Sequence, residues 1–381
     1  MKFKMLMEDL KNALSILSGV PAKKDYGADE SMLQFEKVDD TLIRISAKND
    51  MISANVKVPI MDAEGEWPQV IIDNIGFSIF NVDATMFLGT MRAVAVSKEE
   101  IVTFEIKDNN LVVKGKKKRQ FKIPYILPTK VIRELYEDEE LKAVTAIEFY
   151  NHTNKVLPMA ADNNPRTEIN SVLVDISDKG INFVATDTTK LAVSNVPKES
   201  NIARQVLVPK KAIPFLKKAI ESSPEASIRV SDVSLGAVSE KIEIYTKLLN
   251  GRYPAYKKII PPSFSFVVSV DKIILLESLK ELSYITDEIK ISVKKDKMIV
   301  STYHNPGEVR PEAEIEVEGI NIEGDFQEKE VVVALRNIYP FIQNVESDKV
   351  FFGFNLDTPP FKISGNPEER FLQITMPLSV S

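Results

Sequence analysis

The sequence contains no cysteine and only two histidines among its 381 residues. The absence of thiols excludes disulfide bonds, thiolate metal sites and cysteine nucleophiles. His152 and His304 have no partner at a metal-ligand spacing such as H-E-x-x-H. The patterns G-x-x-x-x-G-K-[ST], G-x-G-x-x-G and G-x-S-x-G, which serve phosphate binding and acyl transfer, are missing too. The residues therefore predict a protein with no catalytic centre, no metal site and no cofactor.

Long apolar runs are also missing. No segment is apolar enough for long enough to cross a bilayer. The first nine residues, Met1-Lys-Phe-Lys-Met-Leu-Met-Glu-Asp9, place charges where a signal peptide needs an apolar centre. The composition, 44% hydrophobic and 27% charged, is that of an ordinary folded protein. We expect a cytoplasmic protein that does not associate with membranes.

The formal net charge of −6 is unevenly distributed along the chain. Division at residues 140 and 262 gives net charges of −3, +5 and −8 for the three parts. An acidic total argues against nucleic-acid binding only if the charge is spread evenly, because local patches decide such binding. The basic middle part therefore keeps a nucleic-acid partner possible.

Amphipathic helical segments recur at a nearly constant spacing. Three of them begin near Val82, Pro209 and Ala334, with separations of 127 and 125 residues, against 127 for one third of the chain. A second set is expected earlier in each third, at Glu8–Ser18, 151–161 and Asp271–Thr286. Asp83 and Asp271 are suited to cap the helices that follow them. Short alternating strands fill the intervals, which predicts an α+β fold of three tandem repeats, at 1–140, 141–262 and 263–381.

A cluster of lysines surrounds the segment near Pro209. Pro214 must lie in the first turn of its helix, because proline disrupts a helix interior. The helix dipole disfavours cations at a helix N-terminus, where the cluster begins, so an anion such as a phosphate backbone is expected nearby. The alternative is a solvated lysine face. The cluster consists of Lys210, Lys211, Lys217 and Lys218.

Two further charged segments have opposite sign. A basic turn at Lys114–Arg119, with Lys122 after it, lies between two strand-like segments. An acidic row of alternating glutamates, which would share one face of a strand, occurs at Glu312, Glu314, Glu316 and Glu318. A straight row of carboxylates suits a solvated surface or a basic partner better than a metal ion, whose ligands converge from several elements.

Three segments carry motifs that are typical of one known protein family. Phe183-Val-Ala-Thr-Asp-Thr-Thr-Lys-Leu-Ala-Val193 is similar to the family pattern F-V-A-T-D-x-x-R-L-A. Leu249-Asn-Gly-Arg-Tyr-Pro-Ala-Tyr-Lys-Lys-Ile-Ile-Pro261 is similar to its G-R-[FY]-P-[DE]-Y-x-x-[IV]-[IL]-P linker. The C-terminal Ile374-Thr-Met-Pro-Leu378 resembles its closing V-M-P-[ML]. Asn305-Pro306 and the N-terminal Met1-Lys-Phe also fit, so the chain resembles the bacterial DNA polymerase III beta subunit, the sliding clamp family, over essentially its whole length.

The resemblance implies a ring-forming homodimer of three-domain subunits that encircles double-stranded DNA without reading its sequence. A clamp loader, the replicative DNA polymerase and other proteins carrying a short motif, roughly Q-x-x-[LM]-x-[FL], are the implied partners. The implied peptide pocket is formed by residues that match the three motifs and the R-P-F segment of the family. These residues are Thr186, Leu191, Pro254, Lys258, Ile259, Pro360, Phe361, Ile374, Met376, Pro377 and Leu378.

The resemblance also suggests how DNA and the second subunit are bound. Lys23, Lys24 and Arg166 lie where the family has loops that contact DNA, and they add to the lysine cluster described above as implied DNA-binding residues. In the family, the first domain of one subunit joins the third domain of the other. The implied interface residues are Lys118, Arg119, Lys122, Glu312 and Glu314.

Two departures from the family concern the implied peptide pocket. Thr188-Thr189-Lys190 replaces the usual Gly-His-Arg, and lysine lacks the planar fork of arginine. The tail continues for three residues after Leu378. Two other functions remain as alternatives, a repeat scaffold that binds only proteins and a metal-dependent nucleic-acid enzyme. The lysine cluster argues against the scaffold, and the missing catalytic constellation argues against the enzyme.

Overall fold

The structure of the protein is a computed structural model, which describes residues 1–22, 28–94, 97–115, 119–132, 138–304, 311–365 and 370–379. Helices and antiparallel sheets together make an α+β fold. The helices of the described residues are α1 Met7–Leu17, α2 Ala84–Val94, α3 Ala146–Val156, α4 Ile213–Ser222, α5 Lys272–Ser283 and α6 Leu335–Asn344.

Most of the chain forms short strands. Those before residue 141 are β1 Lys2–Leu6, β2 Met32–Lys37, β3 Leu42–Lys48, β4 Ile52–Pro59, β5 Met61–Glu64, β6 Gln69–Ile72, β7 Ile75–Asp83, β8 Ile101–Lys107, β9 Asn110–Lys114, β10 Gln120–Ile126 and β11 Glu139–Glu140. Those after it are β12 Ser171–Ser177, β13 Gly180–Thr186, β14 Lys190–Val196, β15 Arg204–Pro209, β16 Ser227–Val230, β17 Ser234–Val238, β18 Ile242–Lys247, β19 Phe266–Asp271, β20 Glu288–Val293, β21 Met298–Thr302, β22 Glu314–Val317, β23 Asn321–Gly324, β24 Lys329–Ala334, β25 Lys349–Phe354, β26 Phe361–Ser364 and β27 Phe371–Thr375.

The predicted helix starts are set by local chemistry. Asp83 accepts a hydrogen bond from the Met86 amide at 2.8 Å, and Asp271 accepts two from the first turn of α5. These contacts satisfy amides that have no partner within the helix. Pro214 lies in the first turn of α4, as its missing N–H requires. The helices expected near Val82, Pro209 and Ala334 are confirmed as α2, α4 and α6.

One helix differs from the prediction. The segment expected at 151–161 begins five residues earlier, as α3 at Ala146, and ends at Val156. Pro158 explains the end, because a proline has no N–H with which to continue the α-helical hydrogen bonds. A short 3₁₀ turn, Leu157–Met159, continues the chain from there.

The chain divides into two compact units, whose borders differ from the three predicted repeats. The first unit contains residues 1–147 and 211–248. Its sheet has the strand order β11-β16-β17-β18-β4-β3-β2-β7-β10-β9-β8-β1-β5, with β6 paired to β7. Because β18 pairs with β4, strands from the first and middle predicted repeats share one sheet. Stacked rings, such as Phe3 on Phe104 at 5.1 Å, lie in the core of this unit.

The second unit contains residues 148–210 and 249–381. Its larger sheet has the order β15-β12-β13-β14-β27-β26-β25-β19-β23, and a smaller one has the order β22-β21-β20-β24. The pair β14–β27 joins the middle and last predicted repeats in one sheet, with Leu191 opposite Ile374. The division into three domains at 140 and 262 stays a prediction. None of the described helices is both long and apolar enough to cross a membrane.

Candidate functional site

A cavity of about 200 Å³ opens on the second unit, where β13 and β27 end and β14 begins. Its walls come from three segments that are far apart in sequence, namely the turn between β13 and β14, the linker that follows Gly251, and the C-terminal tail, and Arg166 from a fourth segment completes the lining. We call it the tail cavity. It is lined by Arg166, Thr186, Thr188, Thr189, Lys190, Leu191, Pro254, Ile259, Ile374 and Met376.

The floor of the tail cavity belongs to a packed apolar cluster. Leu191 and Ile374 line the cavity and are themselves buried, opposite each other on β14 and β27. Buried apolar side chains fix the position of the cavity in the sheet, because interiors are close-packed and resist displacement. The other buried members of the cluster are Ala161, Ile169, Leu173, Val184, Val193, Leu207, Tyr253 and Tyr256.

The linker wall is held by the buried carboxylate of Asp175. Tyr256 Oη donates a hydrogen bond to Asp175 Oδ2 at 2.6 Å, Gln205 Nε2 donates to Oδ1 at 2.8 Å, and Lys257 Nζ lies 3.0 Å from Oδ2. Burial alone would raise the pKa of Asp175, but these three partners outweigh burial and keep the pKa below its usual range. Burial also raises the pKa of Tyr256, so its hydroxyl stays a donor. Pro254 and Tyr256 are thereby fixed in the linker.

The turn from Asp187 to Lys190 forms a second wall. Asp187 Oδ1 accepts hydrogen bonds from the Thr189 amide at 2.9 Å and the Lys190 amide at 3.0 Å, and Lys190 Nζ pairs with Oδ2. Burial would raise the pKa of Asp187, but the Lys190 and Thr189 hydrogen bonds outweigh it and hold the pKa below its usual range. The Met376 amide donates to the Thr189 carbonyl at 2.9 Å, which joins the tail to this turn.

Six residues predicted for the peptide pocket lie together around the tail cavity, and five lie elsewhere. The six are Thr186, Leu191, Pro254, Ile259, Ile374 and Met376. Lys258 is exposed on the short helix Tyr256–Lys258, Pro360 is half-buried, and Phe361 is fully buried against Phe354, with ring centroids 5.6 Å apart.

Pro377 and Leu378 line a second cavity of about 560 Å³ in the same unit. The Leu378 amide donates to the Val332 carbonyl at 2.7 Å, so the tail runs along β24, the last strand of the smaller sheet. Lys290 and Tyr303 also line this second cavity. The tail therefore borders both cavities, with Met376 at the first and Pro377 at the second.

The sequence did not assign four of the residues around the tail cavity to a pocket. Thr188, Thr189 and Lys190 were noticed only as departures from the family pattern, and Arg166 was predicted to bind DNA. Arg166 Nε lies 3.0 Å from Glu168 Oε1, and its role in DNA binding stays a prediction. The three turn residues could have been recognised by their position between two strand-like segments, which pair in register as β13 and β14.

The lysines predicted to bind DNA are spread over both units. In the second, Lys210 Nζ pairs with Asp162 at 2.7 Å and donates to the Ala160 carbonyl at 2.8 Å. In the first, Lys217 pairs with Glu221 at 3.5 Å, and Lys218 Nζ donates to the Ser18 carbonyl at 3.0 Å.

Burial lowers the pKa of Lys218, whose ammonium lies over the Phe215 ring. Lys211 lines a cavity that also contains Phe215. Lys23 and Lys24 lie outside the described residues.

Four of the residues predicted for the subunit interface lie on or next to two open strand edges. In the first unit, Arg119 and Lys122 are exposed, and the described residues Gln120–Pro124 of β10 pair with β9 on one side only. In the second unit, Glu312 and Glu314 are exposed, and β22 is the outer strand of its sheet. Lys118 lies outside the described residues.

Within the part of the chain that the structure describes, no group of three or more acidic or histidine side chains converges as metal ligands would. His152 Nδ1 lies 2.7 Å from Ser194 Oγ, with the ring stacked on Phe183. His304 Nε2 lies 3.0 Å from the Pro311 carbonyl. Both contacts are structural.

Comparison with known proteins gives a consistent result. Residues 143–255 match the family model described as DNA polymerase III beta subunit, central domain. The beta sliding clamp of Helicobacter pylori is 23% identical over 86% of this chain and 84% of its own length. That of Streptococcus pneumoniae is 23% identical over 91% and 97%.

Solved structures have the same fold. The DNA polymerase III beta subunit of Thermotoga maritima is 20% identical, with a TM-score of 0.84 and full coverage of both chains. The Helicobacter pylori beta clamp bound to a DNA ligase peptide is 19% identical, with a TM-score of 0.83 and full coverage of both chains. The fold of this chain is therefore that of the DNA polymerase III beta subunit over its whole length.

Proposed function

We infer that this chain, a relative of the DNA polymerase III beta subunit, is a sliding clamp that encircles double-stranded DNA and tethers proteins that carry a clamp motif. One observation carries the inference. The three segments whose sequences resemble the family converge at one cavity, on a chain with the fold of the family from end to end. Unrelated motifs on the same fold would have no reason to meet at one place.

The tail cavity suits the partner segment that we propose. Its floor is apolar and buried, and its rim carries Arg166 and the two threonines of the turn. Apolar anchors of a short peptide gain affinity by filling such a pocket, while a few polar groups fix their orientation. The proposed ligands are therefore short motifs of the pattern Q-x-x-[LM]-x-[FL] on the replicative polymerase, the clamp loader and other partners. The chain itself acts as a non-catalytic processivity factor.

The proposed homodimer is supported by two open strand edges of opposite charge. The exposed side chains Arg119 and Lys122 accompany one edge, and Glu312 and Glu314 accompany the other. An unpaired edge is a template for another strand, and opposite charges favour one register over others. We propose that β10 of one subunit lies against β22 of the other. Two such joints close a ring.

Apolar surface beside each edge supports the same joint. The helix α5 contacts β22 and exposes Ile273 and Ile274 at its first turn. Ile126 and Leu127, at the end of β10, are exposed as well. Isoleucine and leucine in contact across subunits would supply most of the binding free energy, since exposed ion pairs contribute little.

Peptide binding tests the role of the tail cavity with a matched pair of variants. Met376 and Met61 are 43% and 38% exposed, but only Met376 lines the cavity. A fluorescein-labelled peptide of the pattern Q-x-x-L-x-L should bind the wild-type chain and lose affinity with Met376→Asp, since a charge would enter the apolar pocket. Met61→Asp should bind as the wild type does. Equal binding by all three chains, or none by the wild type, would exclude this cavity as the partner site.

A further inference from the structure

The turn between β13 and β14 has an unusual backbone. Thr188 has a φ of +81°, in the left-handed region that a β-branched residue rarely adopts. Such a conformation persists only where the surrounding contacts fix it. Thr188 and Thr189 both line the tail cavity, so the shape of this wall depends on contacts that hold the strained turn.

Lys190 is a buried residue that makes contacts of this kind. It is only 8% exposed, although its side chain borders the tail cavity. Its ammonium pairs with Asp187 and donates to Asn337 Oδ1 at 3.1 Å. The charge is therefore held by partners within the protein although the residue also borders the cavity, a combination that long amphipathic side chains allow.

Asn337 extends this contact to other walls of the site. It is 6% exposed on α6, and its backbone carbonyl accepts a hydrogen bond from Gln373 Nε2 at 2.7 Å. The same Gln373 nitrogen lies 2.6 Å from Thr375 Oγ1, one residue before Met376. The turn, α6 and the tail strand β27 are thus connected by one buried polar network. Gln373 Oε1 has no hydrogen-bond partner among the described residues, so the connection depends on the contacts of Lys190, Asn337 and the Gln373 side-chain nitrogen.

We propose that Lys190 is a positioning residue for partner binding, which clamps the strained Asp187–Lys190 turn to α6 and so keeps the tail cavity open in one shape. The inference rests on the proposed function, because it assigns a role to the walls of the proposed peptide site. It differs from a contact role, because the ammonium of Lys190 is held by partners within the protein. The affinity for the peptide should then depend on the Lys190–Asp187 ion pair, which the peptide does not contact.

Three variants test this role with the labelled Q-x-x-L-x-L peptide. Lys190→Met keeps the apolar stem and removes the charge, and should weaken binding about tenfold, the effect of one strong polar contact. Lys190→Arg keeps a cation for Asp187 and should stay within about threefold of the wild type. Thr188→Gly removes the backbone strain and loosens the wall, so it should weaken binding while leaving the melting temperature unchanged or higher.

The control removes a buried ion pair of the first unit, whose two residues do not line the tail cavity. Arg44 Nη1 lies 2.7 Å from Glu36 Oε2, and both side chains are almost fully buried. Arg44→Met should lower the melting temperature without changing peptide affinity. If Lys190→Met binds as tightly as the wild type, or Lys190→Arg falls as far as Lys190→Met, the positioning role is wrong while the peptide site stands. If the wild-type chain does not bind the peptide, the proposed site fails, and this inference fails with it.

Discussion

Removal of one hydroxyl group from the linker wall should cost a predictable amount of stability. Tyr256 Oη donates to Asp175 Oδ2 at 2.6 Å, and the two residues are 5% and 6% exposed, so no solvent can replace the lost donor. A buried hydrogen bond to a charged acceptor contributes about 1.5–3 kcal/mol. Tyr256→Phe should therefore lower the free energy of unfolding by about that amount in urea denaturation. Because Pro254 and Ile259 flank Tyr256 and line the tail cavity, peptide affinity should fall as well.

The first unit supplies a matched control. Tyr245 Oη donates to Asp138 Oδ2 at the same distance of 2.6 Å, on a strand that does not line the tail cavity. Tyr245→Phe should lower stability and leave peptide affinity unchanged. The reasoning is refuted if Tyr256→Phe changes the free energy of unfolding by less than about 0.5 kcal/mol, or if both variants lose affinity equally.

Three further predictions concern charge. Reversal of Lys118, Arg119 and Lys122 to Glu should raise the dimer dissociation constant, and an unchanged dimer in sedimentation experiments would reject the proposed joint. The carboxylate of Asp187 has a lowered pKa, so its stabilising contribution is complete above about pH 4 and is lost as pH falls through the folded pKa. The difference in the free energy of unfolding between the wild type and Asp187→Asn should therefore shrink below about pH 4. A difference that stays constant with pH would contradict the role of Asp187. Lys217→Ala should reduce the salt slope of DNA binding by about 0.9, because one phosphate contact is lost, and an unchanged slope would place Lys217 away from DNA.

Features with a local cause could be predicted from the sequence. Asp83 and Asp271 begin their helices because a carboxylate that follows extended backbone can accept from the first free amides. Pro214 lies in the first turn of its helix because it has no N–H to lose there. The α+β fold and the periodic helices follow from the same local signals.

Features that depend on long-range pairing could not be predicted. Nothing in the composition of β18 or β14 shows that they continue the sheets of β4 and β27. The resemblance placed Phe361 at the pocket, but alternation along β26 turns this side chain into the core, where it is fully buried. The position of the Lys190 ammonium depends on Asn337, which is 147 residues away.

The positions of the residues predicted for the peptide pocket also depend on long-range pairing. Six of the pocket residues converge because the family motifs fall on strand ends and on the linker, whose positions the sheet fixes. Pro377 and Leu378 follow the last strand, and their course along β24 depends on one backbone hydrogen bond to Val332. A motif specifies residue types at such a place, but it does not specify the path of the chain.

The central claim is that two chains of 42.8 kDa close around duplex DNA. The most direct test is to load the protein onto a nicked circular plasmid with a clamp loader, separate the complex from free protein, and then cut the circle once. A ring held by topology should stay on the circle at high salt and leave within minutes after the cut, since its phosphate contacts carry no sequence preference. Retention on the linear DNA equal to that on the circle, or release from the intact circle by salt alone, would contradict the account.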